Sequence, residues 1–353
     1  MILLIEPARE PAREAAGRAA GATPKGAARA AIEGGWGRYT GGVPIARNLP
    51  LPAKFPPVEL ASAEAVAELF ERAAEVNLSH PGRRGAMALP RAGMDLQGGP
   101  EGRITLSGDL HDHTLNLHRL VKLTALHRKP HNHLVVQEVA HGEQLVNGHD
   151  VSVRTLARVA SLIVAYPGRV HHLLSNHELA HLTGEGILKD GVNTVARFDR
   201  GVEQLFGEEA PIVQGALKGY IRSLPLAVKT HQGFIACHSL PSPHALADFD
   251  PSVLERVPTE ADLARGGSAH RMVWGRNATE ASAKTLAQAW GAAGFVIGHE
   301  KAEMGWDQPC PGVIVLASDH DHGMALRLDL GRRYRFEQLP DLIEPLAAVR
   351  LDP

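Results

Sequence analysis

The sequence has only two cysteines, Cys237 and Cys310, so it can build neither a disulfide framework nor a zinc site of several thiolates. It also lacks long apolar runs. Residues 1–5 are too few for a signal sequence, and no stretch approaches the roughly 18 apolar residues of a membrane span. The formal net charge of -2 gives no reason to expect nucleic acid or an anionic membrane as partner. We therefore predict a soluble, cytoplasmic protein.

The chain is instead rich in histidine and has an ordinary globular composition. Of its 353 residues, 44% are hydrophobic and 22% charged, which is enough for a large core. Many of the 20 histidines fall between 111 and 181. We divide the chain into an Ala/Gly/Pro-rich segment without sustained periodicity (1–57), a helix and connector that pack on the main domain (58–102), and the main domain itself (103–353).

Hydrophobic periodicity predicts strands that alternate with helices in the main domain, an α/β arrangement with function at the strand ends. The connector region begins with a helix that Ser62 caps. The predicted helices are 63–77, one directly after His113, 152–165, 192–206, 208–222 and 280–291. The predicted strands are 103–107, 133–137, 169–174, 226–229, 233–237, 272–274 and 295–297, followed by a terminal hairpin of 313–317 with 325–330.

The hexapeptide Gly108-Asp109-Leu110-His111-Asp112-His113 directly follows the first of these strands. An acid and histidines at the tip of a strand are typical of a metal site, because carboxylate oxygen and imidazole nitrogen suit a catalytic Zn, Mn or Fe ion. Asp, His and Gly also make ordinary turns, so the hexapeptide by itself leaves both interpretations open.

Other predicted strands end in the same way. The residues at or just after their ends are Gln137, Asn176, His177, His238, Arg276 and His299. A centre of two metal ions needs mixed oxygen and nitrogen ligands from different strands, with positions left open for water and phosphate. Chance seldom places so many such residues at strand ends, so the set favours a bimetallic site.

In order along the chain, these blocks resemble the motifs of the calcineurin-like metallophosphoesterases, in particular their phosphoprotein phosphatase branch. The matching blocks are Gly108-Asp109-Leu110-His111, Asn176-His177-Glu178, His238 after a strand, and Gly298-His299. The resemblance covers about 103–331. It implies a β-sandwich flanked by helices, and makes 103–353 a metallophosphoesterase domain.

The resemblance also implies a role for each residue. Asp109 and His111 would bind a first metal ion, and Asn176, His238 and His299 a second, the ions being Mn, Fe or Zn. His177 would protonate the leaving group or contact phosphate, and Arg276 would clamp phosphate. The implied reaction is attack of metal-bound hydroxide on a phosphorylated protein or small molecule.

The second family block, GDxVDRG, is altered in this chain. Gln137 aligns with the bridging aspartate, Ala140 with the acid that orients the catalytic histidine, and His141 with a phosphate-binding arginine. As a metal ligand, Gln137 would offer a carbonyl oxygen without charge, so the second site is expected to be weak. Glu138 is an alternative ligand, but it reaches the site only if the strand has ended or bulges. Asp112 and His113 are further alternatives.

Two other functions stay open at this point: a metal- or phosphate-binding homologue without catalysis, and a dinucleoside polyphosphate hydrolase. Several motif-like residues are predicted to be structural instead. They are the turn 319–323, the helix-surface block 198–201, the strand residues His171 and His172, and Cys237, which we expect to be buried. His141 and His181 are weaker candidates to approach the site from loops.

Overall fold

Two β-sheets pack face to face and carry helices on their outer surfaces. The computed structural model describes residues 56, 58–89, 93–94, 100–143, 145–189 and 191–351. Apart from residue 56, the predicted segment 1–57 lies outside the described residues, as does most of 90–99. The strands of the two sheets are β1 (Arg83–Arg84), β2 (Met87–Ala88), β3 (Arg103–Asp109), β4 (His133–Gln137), β5 (Val170–Leu173), β6 (Ala227–Lys229), β7 (Phe234–Cys237), β8 (Gly294–Ile297), β9 (Trp306–Cys310), β10 (Val313–Leu316), β11 (Met324–Asp329) and β12 (Ile343–Pro345).

The helices lie between these strands or before them. They are α1 (Ala63–Ser79), α2 (Thr114–Thr124), α3 (Val153–Ala165), α4 (Asn176–Thr183), α5 (Thr194–Phe206), α6 (Ala210–Ser223), α7 (Glu260–Leu263), α8 (Ser268–Trp274) and α9 (Glu280–Trp290). Short two-stranded ribbons pair Gly93–Met94 with Pro100–Glu101, Leu145–Val146 with His149–Asp150, and Leu188–Lys189 with Val192–Asn193.

The first sheet has the order β12-β11-β3-β4-β5, in which β3, β4 and β5 run parallel. The second has the order β1-β2-β6-β7-β8-β10-β9, in which β7, β8 and β10 run parallel. A parallel bridge between Asp109 and Ala317 joins the end of β3 to the residue that follows β10. Both sheets therefore direct the carboxyl ends of their parallel strands to one edge of the sandwich.

The parallel strands at the centre of the sandwich are buried on both faces. On β3 and β4, Leu106 and Val135 face the core between the two sheets, whereas Leu134 and Val136 face the helices. Double burial explains the nearly continuous apolar strands of the sequence. The sandwich flanked by helices confirms the predicted fold class.

Helix α1 packs against the outer helix layer. Ser62 caps it as predicted, accepting a hydrogen bond from the Ala65 N–H at 3.1 Å. Phe70 is fully buried and stacks on Tyr220 of α6, with ring centroids 5.3 Å apart. Among the described residues, no helix combines the length and apolar character needed to cross a membrane.

Two predictions of local structure are wrong, and one strand was missed. The predicted strand 272–274 is the end of α8, where Met272 and Val273 are both buried, so a short apolar run imitated a strand. The predicted hairpin does not form, because β10 and β11 belong to different sheets. Strand β9 was not predicted. This strand contains the exposed residues Asp307 and Gln308, so it lacks the apolar run that predicts a strand.

The structural assignments of the other motif-like residues hold in most cases. Residues 319–322 form bends and turns, and His171 and His172 are buried on the edge strand β5. Cys237 is buried, and burial raises the pKa of its thiol to about 12. The block 198–201 lies in α5 as expected, but Phe198 is buried rather than on the surface.

Candidate metal centre

Asp109 is the last residue of β3 and lies at the edge where the parallel strands end. Its Oδ2 accepts a hydrogen bond from the His299 N–H at 2.8 Å. Its Oδ1 is buried, has no hydrogen-bond partner among the described residues, and lies 3.5 Å from His238 Nδ1. A Cβ at Gly298 would overlap this oxygen, so the chain needs glycine there. Burial raises the pKa of Asp109 to about 6.

Glu138 reaches the same place because β4 ends one residue before it and the backbone turns to a φ of 45°. Its Oε2 lies 3.4 Å from His238 Nε2 and 3.9 Å from His111 Nε2. Burial, and then the neighbouring Asp109 carboxylate, raise the pKa of Glu138 well above its usual value. Two buried acids side by side are costly unless a cation compensates them.

Gln137 uses both ends of its amide within the protein. Its Nε2 donates to the Ser107 carbonyl at 3.0 Å, and its Oε1 lies 3.0 Å from His238 Nδ1. A His238 ring with its proton on Nδ1 would donate it to this oxygen and keep a lone pair on Nε2. That Nε2 lies 2.8 Å from Asn176 Oδ1. Lone pairs that converge in this way are typical of ligands to one cation.

Helix α4 presents Asn176 and His177 from its first turn. His177 Nε2 lies 3.4 Å from Glu138 Oε1, whereas its Nδ1 is buried and lacks a hydrogen-bond partner within the described part of the chain. Glu178 accepts the N–H groups of Val139 and Ala140 at 2.9 and 3.1 Å. Despite its burial, the nearby His172 ring and a hydrogen bond from Ser175 lower the pKa of Glu178. A buried carboxylate therefore holds the turn that follows β4.

His299 completes the set after β8. Its Nε2 is buried without a hydrogen-bond partner among the described residues. Burial, and then the nearby Arg276, lower the pKa of His299 to about 3, so the ring is neutral as a metal ligand must be. Arg276 is exposed and donates to the His299 carbonyl at 2.7 Å, which places it at the rim.

Two overlapping groups of these side chains could each hold an ion: Asp109, His111 and Glu138, and Glu138, His238 and His299. Within each group the ligand atoms lie within 4.8 Å of one another, and Glu138 belongs to both. Residues His111, Glu138 and His299 all have positive φ. Strained backbone of this kind clusters at functional sites, where the surrounding contacts determine it.

The predicted candidates divide into those that lie at the centre and those that do not. The side chains that converge there are Asp109, His111, Gln137, Asn176, His177, His238 and His299. Of the alternatives, Asp112 binds the Thr155 hydroxyl, and His113 caps α2 through its Nδ1. His141 lies behind His177, with ring centroids 4.9 Å apart.

No protein-family model and no curated protein sequence matches the chain. Among solved structures, the chain is similar to a protein serine/threonine phosphatase from Saccharomyces cerevisiae with similarity to human phosphatase PP5. The TM-score is 0.57 at 14% identity, over 82% of this chain and 91% of that one. A cold-active protein tyrosine phosphatase gives a lower TM-score of 0.45 at 16% identity, over 72% of this chain and 78% of that one. The first likeness agrees with the architecture described above: the chain has a fold like that of a protein serine/threonine phosphatase.

Proposed function

We propose that the chain is a metal-dependent phosphoesterase with a centre for two divalent ions. Asp109 and His111 would hold one ion, and Asn176, His238 and His299 the other. The observation that carries the proposal is the position of Glu138, whose carboxylate belongs to both groups of converging ligand atoms. One side chain common to two groups is what a pair of ions about 3.5 to 4 Å apart requires.

We assign the bridging carboxylate to Glu138 and a supporting role to Gln137. The sequence alone predicts Gln137 as a ligand, and that stays a prediction. Its contacts favour a different role, because its Oε1 can accept a proton from His238 Nδ1 and so direct His238 Nε2 into the centre. Partners of this kind fix the tautomer and orientation of a ligating histidine. The centre then has two carboxylates, Asp109 and Glu138, rather than one.

Divalent ions bound at these residues would supply an activated water nucleophile and polarise the phosphoryl oxygens. His177 lies beside Glu138 at the first turn of α4, where it can pass a proton to the leaving oxygen. Arg276 at the rim can offer its guanidinium to the remaining phosphate oxygens. We propose a phosphorylated protein or small molecule as substrate.

Metal content per chain, measured by elemental analysis after incubation with Mn²⁺ and desalting, tests the centre. We expect close to two ions in the unaltered chain. Glu138→Gln should lose at least one of them, whereas Asp321→Asn, an exposed acid in the neighbouring turn, should keep both. Equal metal content in Glu138→Gln and the unaltered chain would refute the bridging role.

Turnover is tested separately with a phosphoserine peptide and an aryl phosphate, each with Mn²⁺, Fe²⁺ or Zn²⁺ added. Activity that disappears in Asp109→Ala and persists in Asp321→Asn supports the proposal. Two bound ions without turnover of either substrate would instead favour the non-catalytic homologue. A dinucleoside polyphosphate is assayed under the same conditions, and turnover of this substrate alone would favour the hydrolase of such nucleotides.

A further inference from the structure

A closed ring of buried polar groups lies behind the metal centre. Asp150 is fully buried, and its Oδ2 accepts the His141 Nδ1 proton at 2.8 Å. Its Oδ1 accepts the Ser152 N–H at 2.8 Å, and the Ser152 hydroxyl accepts the His141 backbone N–H at 3.1 Å. Burial opposes the charge of Asp150, but hydrogen bonds from His141 and Ser152 keep its pKa below the usual value. The ring therefore holds His141 through an ionised carboxylate.

Helix α5 fixes this ring against the rest of the domain. A Cβ at Gly201 would overlap the backbone carbonyl of Asp150, so the glycine permits the close approach of the helix to the ribbon that carries Asp150. Phe198 of the same helix lies edge-on to the His141 ring, with centroids 5.7 Å apart. Asp150 is thus positioned by packing that does not involve the metal ligands.

The ring anchors the far end of a strained turn. The turn runs from Glu138 to His141, and these two residues have φ values of 45° and 65°. A non-glycine residue keeps a positive φ only where its surroundings determine it. Glu178 holds the middle of the turn through the N–H groups of Val139 and Ala140, and Asp150 with Ser152 holds its end at His141.

A third metal site at this ring does not fit. His141 Nε2 and His181 Nε2 lie 3.1 Å apart, which would suit two ligands of one ion. However, among the described residues, no third His, Cys, Asp or Glu ligand atom joins them within 4.8 Å. One proton shared between the two Nε2 atoms, as in a hydrogen bond, explains this short contact.

We propose that Asp150, through His141 and Ser152, is a positioning residue that locks the turn after β4 so that Glu138 points into the metal centre. The motif that this chain resembles has its carboxylate at the position of Gln137, whereas this chain has one at Glu138. In a regular strand the side chain of residue 138 would face the opposite way. The locked turn corrects its direction. The proposal rests on the proposed function for the role of Glu138.

The test is the Mn²⁺ affinity of the full chain after chelator treatment, measured by titration calorimetry. Asp150→Asn should bind Mn²⁺ at least about tenfold more weakly, the usual effect of losing a group that orients a ligand. Ser152→Ala should weaken binding in the same direction. It is a milder change, since the Ser152 side chain forms no cap hydrogen bond with α3. The matched control is Asp262→Asn, a buried acid that pairs with Arg256 and caps α7, and it should leave the affinity unchanged.

The double variant Glu138→Gln with Asp150→Asn separates positioning from a general loss of stability. If Asp150 acts through Glu138, the double variant binds Mn²⁺ as weakly as Glu138→Gln alone. Additive losses would overturn the proposal, as would wild-type affinity in both Asp150→Asn and Ser152→Ala. If the unaltered chain binds no Mn²⁺, the metal centre itself is refuted, whereas unchanged affinity in these variants refutes only the role of Asp150.

Discussion

In the metal-free protein, the buried carboxyl of Asp109 should lower the free energy of unfolding as the pH rises. Burial raises its pKa from 3.8 to about 6 in the folded chain. Between these two pH values the folded state binds more protons than the unfolded state, so the free energy of unfolding falls as pH increases. At 1.36 kcal/mol per pKa unit, the total loss is about 3 kcal/mol, of which about 2 kcal/mol falls above pH 4.5, and it levels off about one pH unit above the folded-state pKa.

Urea unfolding of chelator-treated protein between pH 4.5 and 7.5 measures this loss. Asp109→Asn has nearly the same shape without the charge, so its stability should fall less across the range. Asp321→Asn, which alters an exposed acid, should follow the unaltered chain. Parallel profiles for the unaltered chain and Asp109→Asn would refute the reasoning. Saturating Mn²⁺ should reverse the slope, because metal binding strengthens as the ligands lose their protons.

Further substitutions and a labelling experiment test other parts of the structure. Gly298→Ala should displace Asp109 and cost about 1–3 kcal/mol of unfolding free energy together with metal binding, whereas Gly215→Ala, whose Cβ meets open space in α6, should be neutral or stabilising in the same assay. Phe70→Ala should cost about 3–5 kcal/mol in urea unfolding, and a loss below 1 kcal/mol would contradict the packing of α1 on α6. Cys237 should resist a thiol reagent at pH 8 until the chain unfolds, because its thiol is buried and its pKa is raised to about 12. Rapid labelling of the native chain at this cysteine would contradict its burial.

Local patterns in the sequence determined most of the elements and most of the candidate centre. Asp109 ends a buried apolar strand, His238 and His299 follow such strands, and these strands and their ends are visible in the order of residues. Because parallel strands place their carboxyl ends at one edge of a sheet, the positions of the strands in the sequence were enough to predict that these side chains lie close together.

Tertiary structure decided which sheet a strand joins and whether a short apolar run is a strand or a helix, because local patterns fit both alternatives. Strands β10 and β11 are consecutive apolar strands joined by a short turn, as in a hairpin, yet they lie in different sheets, because an apolar pattern does not say which sheet a strand joins. The segment 272–274 shows the same ambiguity on a smaller scale. Three apolar residues in a row fit a strand or one side of a buried helix equally well.

The choice between Gln137 and Glu138 also depended on the tertiary structure. The sequence shows both residues, and the alternation rule places their side chains on opposite faces for as long as the strand continues. The strand ends at Gln137, and the positive φ of Glu138 then turns its carboxylate towards the histidines. The backbone of that turn is held by Glu178, 39 residues beyond Val139, and by Asp150 on a separate ribbon, so no pattern within the strand could predict it. The sequence by itself therefore determined which chemical groups are available, and long-range contacts decided which of them point into the centre.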